Sequence, residues 1–283
     1  MFEVLFFVPE GHAPADNTAL AETLTAAGVA LDGDELDRYR PGRWRHAATS
    51  AQALVDLGEP PLERDDQHRP RAYAGWRPAP LAIRIPLAGP HWQAVEALAL
   101  VEAVLAAHPG LRALDSEDVI EAEGIAPGPF PWNRPRAIAS WEAQHASRCT
   151  GLDLPVLARP HSVRVWRYRR ERPAARAAHP DLHWPDALVL RDGATGQARS
   201  ACLWTAADEA FALPPVELVV LRQGGRGGVI GADEVLAAVG NPTPLAALAC
   251  PIRPSAALHA LFNGSRPLPA AGFSALLDED WRD

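Results

Sequence analysis

The sequence predicts an α+β protein of two regions, an N-terminal ferredoxin-like sandwich of two βαβ-type halves and a second mixed α+β region with an antiparallel hairpin. Three observations lead there. A strand, a Pro/Gly elbow, an Ala/Leu helix and a short strand occur twice in succession, with VPEGHAP and IPLAGPH as the elbows. The segment APGPFPWNRPR then breaks all periodicity. Beyond it, RDGATGQAR separates two apolar runs, and Asp192-Gly193 marks a hairpin turn. The expected domains are residues 1–123 and 124–283, within the range that 283 residues accommodate.

Each element has a local reason. Glu3 to Val8 is an apolar run closed by Pro9 and Gly11, the pattern of a buried strand. Asp16 or Asn17 caps a helix carrying Leu20, Leu24 and Val29 and ending near Gly28. From Asp32 to Arg45 charge dominates and a loop is expected; Ala51–Leu57 reads as a strand or a short helix. Five prolines between Pro60 and Pro80 predict a crossing loop, since Pro donates no hydrogen bond. LAIRIPL, from Leu81 to Leu87, is the second strand. The helix from His91 to His108 follows, with Trp92, Val95, Leu98, Val101 and Leu105 at near-helical spacing. Pro109-Gly110 stops it and Leu111–Leu114 offers a short strand. In the second half, helices are expected at Ala137–Cys149 and Asp233–Val239, with small ones near Ala256–Phe262 and Phe273–Leu277. Strands are expected at Ala187–Leu190, Ser200–Trp204 and Val216–Leu221, while His161–His179 has no assignable period.

Composition excludes several chemistries. The charge is -8, the pI about 5.7 and the mean hydropathy -0.11, which predicts a soluble globular chain with no general affinity for nucleic acid or anionic membrane. All 27 basic residues are Arg. The absence of Lys removes a Walker lysine, a Schiff base and a Ser–Lys dyad. Cys149, Cys202 and Cys250 are far apart and form no C-x-x-C pair, which predicts a reducing, cytoplasmic setting without a disulfide framework. The apolar start MFEVLFFV is too short for a signal or a span, so no targeting segment is expected. The abundance of Arg, Ala and Pro suits a bacterial genome rich in G and C.

The candidate sites divide by chemistry. LDSEDVIEAEG places Asp115, Glu117, Asp118, Glu121 and Glu123 together; such carboxylates suit a hard cation or a basic protein partner, although the run lacks the Gly turn of a calcium loop. HPDLHWPD spaces His179 and His183 as two metal ligands on a helix would be spaced, but Pro180 and Pro185 oppose a helix. QGGRGGVIGADE sits between a strand and a helix like a phosphate loop, yet Ile230 stands where the third glycine belongs and no Lys follows, so a flexible turn is expected. Seven arginines between Arg159 and Arg176, interleaved with Trp166 and Tyr168, form a solvated, internally paired or nucleic-acid-binding face. Ser265 lacks a preceding strand to present it as a nucleophile, and Cys149 shares a helical face with His145. Trp44, Trp76, Trp132, Trp184 and Trp281 lie beside Arg or Pro, either as interface anchors or as pins that hold loops to the domain.

The expected function is a cytoplasmic, non-catalytic protein-binding module of the immunity type, neutralising a toxin or secreted effector. Trp76, Trp132, Arg134, Asp115, Glu117 and Asp118 are the binding residues. The expected partner is a protein, a basic toxin or effector; no cofactor, metal, nucleic acid or membrane is expected. The alternative is a metal-dependent hydrolase using the 115–123 carboxylates with a histidine such as His183, and nucleic-acid binding through Arg164–Arg172 ranks third.

Overall fold

The computed structural model describes residues 1–13, 16–34, 37–58, 75–115, 132–205, 209–223, 226–245 and 248–283. Their contacts form two compact units, residues 1–87 with 92–148, and residues 88–91 with 149–283. The expected boundary at 123/124 lies outside the described residues. The architecture is α+β, with six helices and three sheets among the described residues.

The first unit is a six-stranded sheet, β1 (Phe2–Pro9), β2 (Val29–Leu31), β3 (Tyr39–Arg45), β4 (Gln52–Gly58), β5 (Trp76–Ile85) and β6 (Arg112–Asp115), in the order β2-β3-β4-β5-β1-β6. Every neighbouring pair is antiparallel. The two elbow-bearing strands are neighbours, with Phe2 opposite Ile85 and Val4 opposite Ile83. Helix α1 (Asn17–Ala26) begins where the Asp16 carboxylate accepts the Thr18 N–H at 3.0 Å, and it buries Leu20 and Leu24 one turn apart. Helix α2 (Trp92–Ala107) packs on β4, β5 and β6, and α1 packs on β2 and β4. The two helices meet on one side of the sheet, where Thr23 Oγ1 lies 2.9 Å from His108 Nε2. Trp92, Leu98 and Val101 are fully buried, and each such side chain contributes about 1.5–3 kcal/mol. Helix α3 (Arg134–Gly151) is tied to α2 through Arg134, whose guanidinium donates to Glu102 at 2.9 Å and to the Val95 carbonyl.

Three expectations here need correction. Val29 does not belong to helix α1, which ends at Ala26, but opens strand β2. Asp32–Arg45 is not a loop: Tyr39–Arg45 is strand β3, in which Gly42 and Trp44 alternate inward between exposed Arg43 and Arg45. The surface arginines conceal the period of two. The crossing loop expected to reach Pro80 ends by Trp76, where β5 starts; its residues 60–74 lie outside the described residues. Pro78 and Pro80 are tolerated because this part of β5 pairs only with β1, and β4 joins from Leu81.

The second unit has a five-stranded sheet, β7 (Ala187–Asp192), β8 (Ala198–Trp204), β10 (Leu218–Gln223), β11 (Arg226–Gly231) and β13 (Phe273–Leu276), in the order β11-β10-β8-β7-β13. Only β8 and β10 run parallel. The β7–β8 hairpin turns where expected: the Asp192 carboxylate accepts the Ala194 N–H at 2.9 Å, and this bond holds its pKa below the ordinary range. Short strands β9 (Phe211–Leu213) and β12 (Cys250–Ile252) pair beside the sheet. Helices α5 (Ala232–Ala238) and α6 (Ala256–Gly264) complete a core of Trp204, Phe211, Val219, Leu221, Val235 and Leu258. The unassigned Arg-rich stretch is one helix, α4 (Arg159–Ala178), packed on β7 and β8. Its buried positions, Ser162, Val165 and Tyr168, recur at three-residue steps, but only one of them is a hydrophobe without a polar atom. The expected helix at Phe273–Leu277 is instead β13, a run too short for its period to decide.

Candidate functional site

The residues named from sequence fall mainly in the first unit. Asp115 ends β6 and is 4% exposed, and Glu117, Asp118, Glu121 and Glu123 lie outside the described residues. Trp76 is half-buried at the start of β5, against the cluster of Leu5, Phe7 and Leu114. Trp132 is half-buried ahead of α3, its indole Nε1 buried without a hydrogen-bond partner. Arg134, two residues on, is half-buried and held by α2 as described above.

Three of the other expected loop tryptophans are pins. Trp44 is 8% exposed in β3 and donates to the Ala27 carbonyl at 3.0 Å. Trp184 is 6% exposed and donates to the His179 carbonyl, and Trp281 is fully buried.

The remaining motifs resolve into structure. His179 ends α4 and Pro180 follows it, so His179 and His183 do not share a helix. His183 is instead bound through its backbone to Ala210 and Ala212. Among the described residues no three His, Cys, Asp or Glu side chains gather as a metal would need. From Arg226 to Gly231 the glycine stretch is strand β11 and not the expected flexible turn, and Gly224 and Gly225 lie outside the described residues. Gly228 is required there because a Cβ would stand 1.8 Å from Ser265 Oγ, and the Val229 N–H is taken by the Arg266 carbonyl at 2.9 Å. Ser265 Oγ in turn donates to the Phe262 carbonyl. Cys149 and His145 are both buried, and His145 stacks on Trp141 at 4.5 Å while donating to the Leu87 carbonyl. Burial pushes the thiols of Cys202 and Cys250 upward, away from thiolate chemistry.

Two polar networks escape sequence reading. In the first unit, Asp56 on β4 accepts from Arg84 at 2.7–2.8 Å and from the Tyr39 hydroxyl. In the second, Asp283 accepts from Ser162 Oγ at 2.9 Å, Arg159 at 3.1 Å, the His91 N–H at 3.1 Å and His91 Nδ1 at 2.5 Å. A Ser, a His and an Asp thus meet, but in the wrong connectivity for a nucleophile. The same His91 Nδ1 lies 3.0 Å from Ser162 Oγ and 2.5 Å from the Asp283 carboxylate, so one ring nitrogen faces both groups where a triad divides them between two, and Ser162 is fully buried, out of reach of a substrate. Burial works to raise the Asp283 pKa, but the bonds and charges of His91, Ser162 and Arg159 hold it below the ordinary carboxylate range.

Division into units also exposes a charge asymmetry. Residues 1–148 contain 13 Arg against 21 Asp and Glu, whereas residues 149–283 contain 14 of each, so the entire excess of -8 belongs to the first unit's stretch of chain. Glu22 on α1 and Asp32, Asp34 and Asp37 between β2 and β3 are exposed. Asn17, Thr18, Glu22, Asp37, Arg40 and Leu57 line part of a cleft of about 490 Å³. The sequence signal for it was the charge run 32–38. Comparison of the chain with protein-family profiles, characterised proteins and solved structures finds no match.

Proposed function

We propose that the chain is a cytoplasmic, non-catalytic protein-binding module whose acidic first unit engages a basic protein, in the manner of an immunity protein neutralising a toxin or effector. The confinement of the whole -8 excess to residues 1–148 carries this reading. A surface with an excess of negative charge accelerates encounter with a positively charged protein and disfavours polyanions such as nucleic acid. Trp76, Trp132, Arg134, Asp115, Glu117 and Asp118 all belong to that stretch, and Trp and Arg are the residue types enriched at binding hot spots. The cleft beside Glu22 and Asp37 suits a cationic side chain of the partner. No helix among the described residues is long and apolar enough to cross a membrane.

The same reading takes the first unit as an extended ferredoxin-like sandwich. Support comes from β5 and β6 flanking β1 with α2 crossing between them, and from α1 and α2 sharing a side. The β2–β3 hairpin would be the extension.

The test is affinity capture by the tagged chain from lysate and culture medium of the source cell. The expected catch is a basic protein released by salt, held at least about thirtyfold more weakly after Trp76→Ala, a hot-spot loss of roughly 2 kcal/mol or more. Capture of acidic proteins only, or of none, would refute the reading.

A further inference from the structure

We propose that the cleft between α5 and α6 in the second unit binds a small carboxylic acid with an apolar tail, a site separate from the acidic surface assigned above. The cleft holds about 730 Å³, within the range of small-molecule sites. It is open because the side chains around it are short. On α6, Ala257, Ala260, Leu261 and Gly264 follow the spacing of one helical face, and three of the four carry no more than a methyl group. The residue that this helix buries in the core is Leu258. Ala238 on α5 is equally short, so the two helices touch each other and β11 yet leave the space between them unfilled. Val229 and Ile230 of β11 complete an apolar lining.

The chemistry of the occupant follows from the polar side chains on that lining, Glu234, Ser265 and Arg266. The Glu234 carboxylate accepts the Gly231 N–H at 3.3 Å, where it caps α5. Ser265 Oγ donates to the Phe262 carbonyl at 2.7 Å. The guanidinium of Arg266 is exposed and makes no hydrogen bond or ion pair among the described residues. It presents two parallel N–H donors to a carboxylate, and the apolar walls beside it take an alkyl chain out of water. An amine would meet the Arg266 charge and find Glu234 already engaged. A peptide strand fits less well, although β11 is the edge of its sheet: strand addition needs outward N–H groups, and those of Val229 and Gly231 are taken by the Arg266 carbonyl and by Glu234.

The experiment is isothermal titration calorimetry of the full chain with octanoate, octan-1-ol, octylamine and acetate at neutral pH. Octanoate should bind with a Kd below about 1 mM, and the other three, which each lack the acid, its charge or the tail, about tenfold or more weakly. Arg266→Gln should weaken octanoate about tenfold or more, to the level of octan-1-ol. Arg253→Gln, at an exposed arginine of the same unit outside the cleft, should change it less than about twofold. Ala260→Trp fills the cleft from an exposed position on α6 and should abolish octanoate binding, with the circular dichroism spectrum and the urea midpoint of the wild type. No binding of octanoate, binding of octylamine as tight as that of octanoate, or octanoate binding unchanged by Arg266→Gln or by a folded Ala260→Trp would each overturn the proposal.

Discussion

Both units bury a carboxylate against an arginine, yet they surround it differently. Asp56 lies on a sheet face in the first unit, its side chain 9% exposed, with Arg84 and Tyr39 as donors. Asp283 in the second unit is inaccessible and receives a hydroxyl, a guanidinium, an imidazole and a backbone N–H. The more completely a charge is removed from water, the more donors it needs before burial stops being destabilising. Residues 149–283 hold 14 Arg and 14 carboxylates, so their charges balance in number; residues 1–148 carry eight carboxylates beyond their arginines. Excess charge costs stability through self-repulsion, which is tolerable where a partner of opposite sign benefits from it.

Breaking the two networks should separate the units, most strongly in the second. Asp283→Asn keeps the shape but leaves His91 and Arg159 without their anion. It should cost about 3–5 kcal/mol, measured by urea denaturation with tryptophan fluorescence as the signal. The pH dependence has a definite sign. Because the folded pKa of Asp283 is depressed, its stabilisation is fully present above the unfolded value near ~3.9 and fades as pH falls through the lower folded value. An acid titration of stability should therefore show a loss beginning near ~pH 4 in the wild type and a smaller one in Asp283→Asn. Arg84→Met should cost less, about 2 kcal/mol, since Tyr39 remains and Asp56 retains some access to water.

Smaller changes sharpen the contrast within the second unit. Tyr168 is fully buried and donates to the Pro185 carbonyl at 2.7 Å, and burial holds its pKa well above the usual phenol range. Tyr168→Phe should cost about 1 kcal/mol by the same denaturation assay, because Arg172 still donates to that carbonyl. On the outward side of the same helix, Arg167→Ala should change stability by less than about 0.5 kcal/mol. A large effect of Arg167→Ala would mean that its pair with Glu171 is structural.

How much of this was legible in the sequence depends on where the information lies. The strand-elbow-helix repeat was readable because β1, β5 and α2 are apolar runs whose elbows carry Pro and Gly. Strand β3 was not, since Arg43 and Arg45 fill its outward positions and the inward-facing series of Arg40, Gly42 and Trp44 holds one large hydrophobe. Helix α4 was hidden for a related reason: its inward face is largely arginine, tyrosine and serine paired with Asp278, Asp186 and Asp283, and hydrophobic periodicity cannot register an ion-paired face. The Trp/Arg loop pattern was ambiguous between interface and anchor; Trp44, Trp184 and Trp281 are anchors, while Trp76 and Trp132 keep an exposed edge. The Asp283 network could not be foreseen, because its members are drawn from positions 91, 159, 162 and 283.

The assignment of partner binding to the acidic unit is tested most directly by comparing matched charge removals against the captured basic partner. Glu22→Gln with Asp32→Asn and Asp34→Asn removes three exposed carboxylates from the first unit; Asp181→Asn with Glu209→Gln and Glu279→Gln removes three exposed ones from the second. Affinity measured by calorimetry should fall about tenfold or more for the first triple, with a shallower salt dependence, and by less than about twofold for the second. Equal losses, or a larger loss from the second triple, would contradict the assignment.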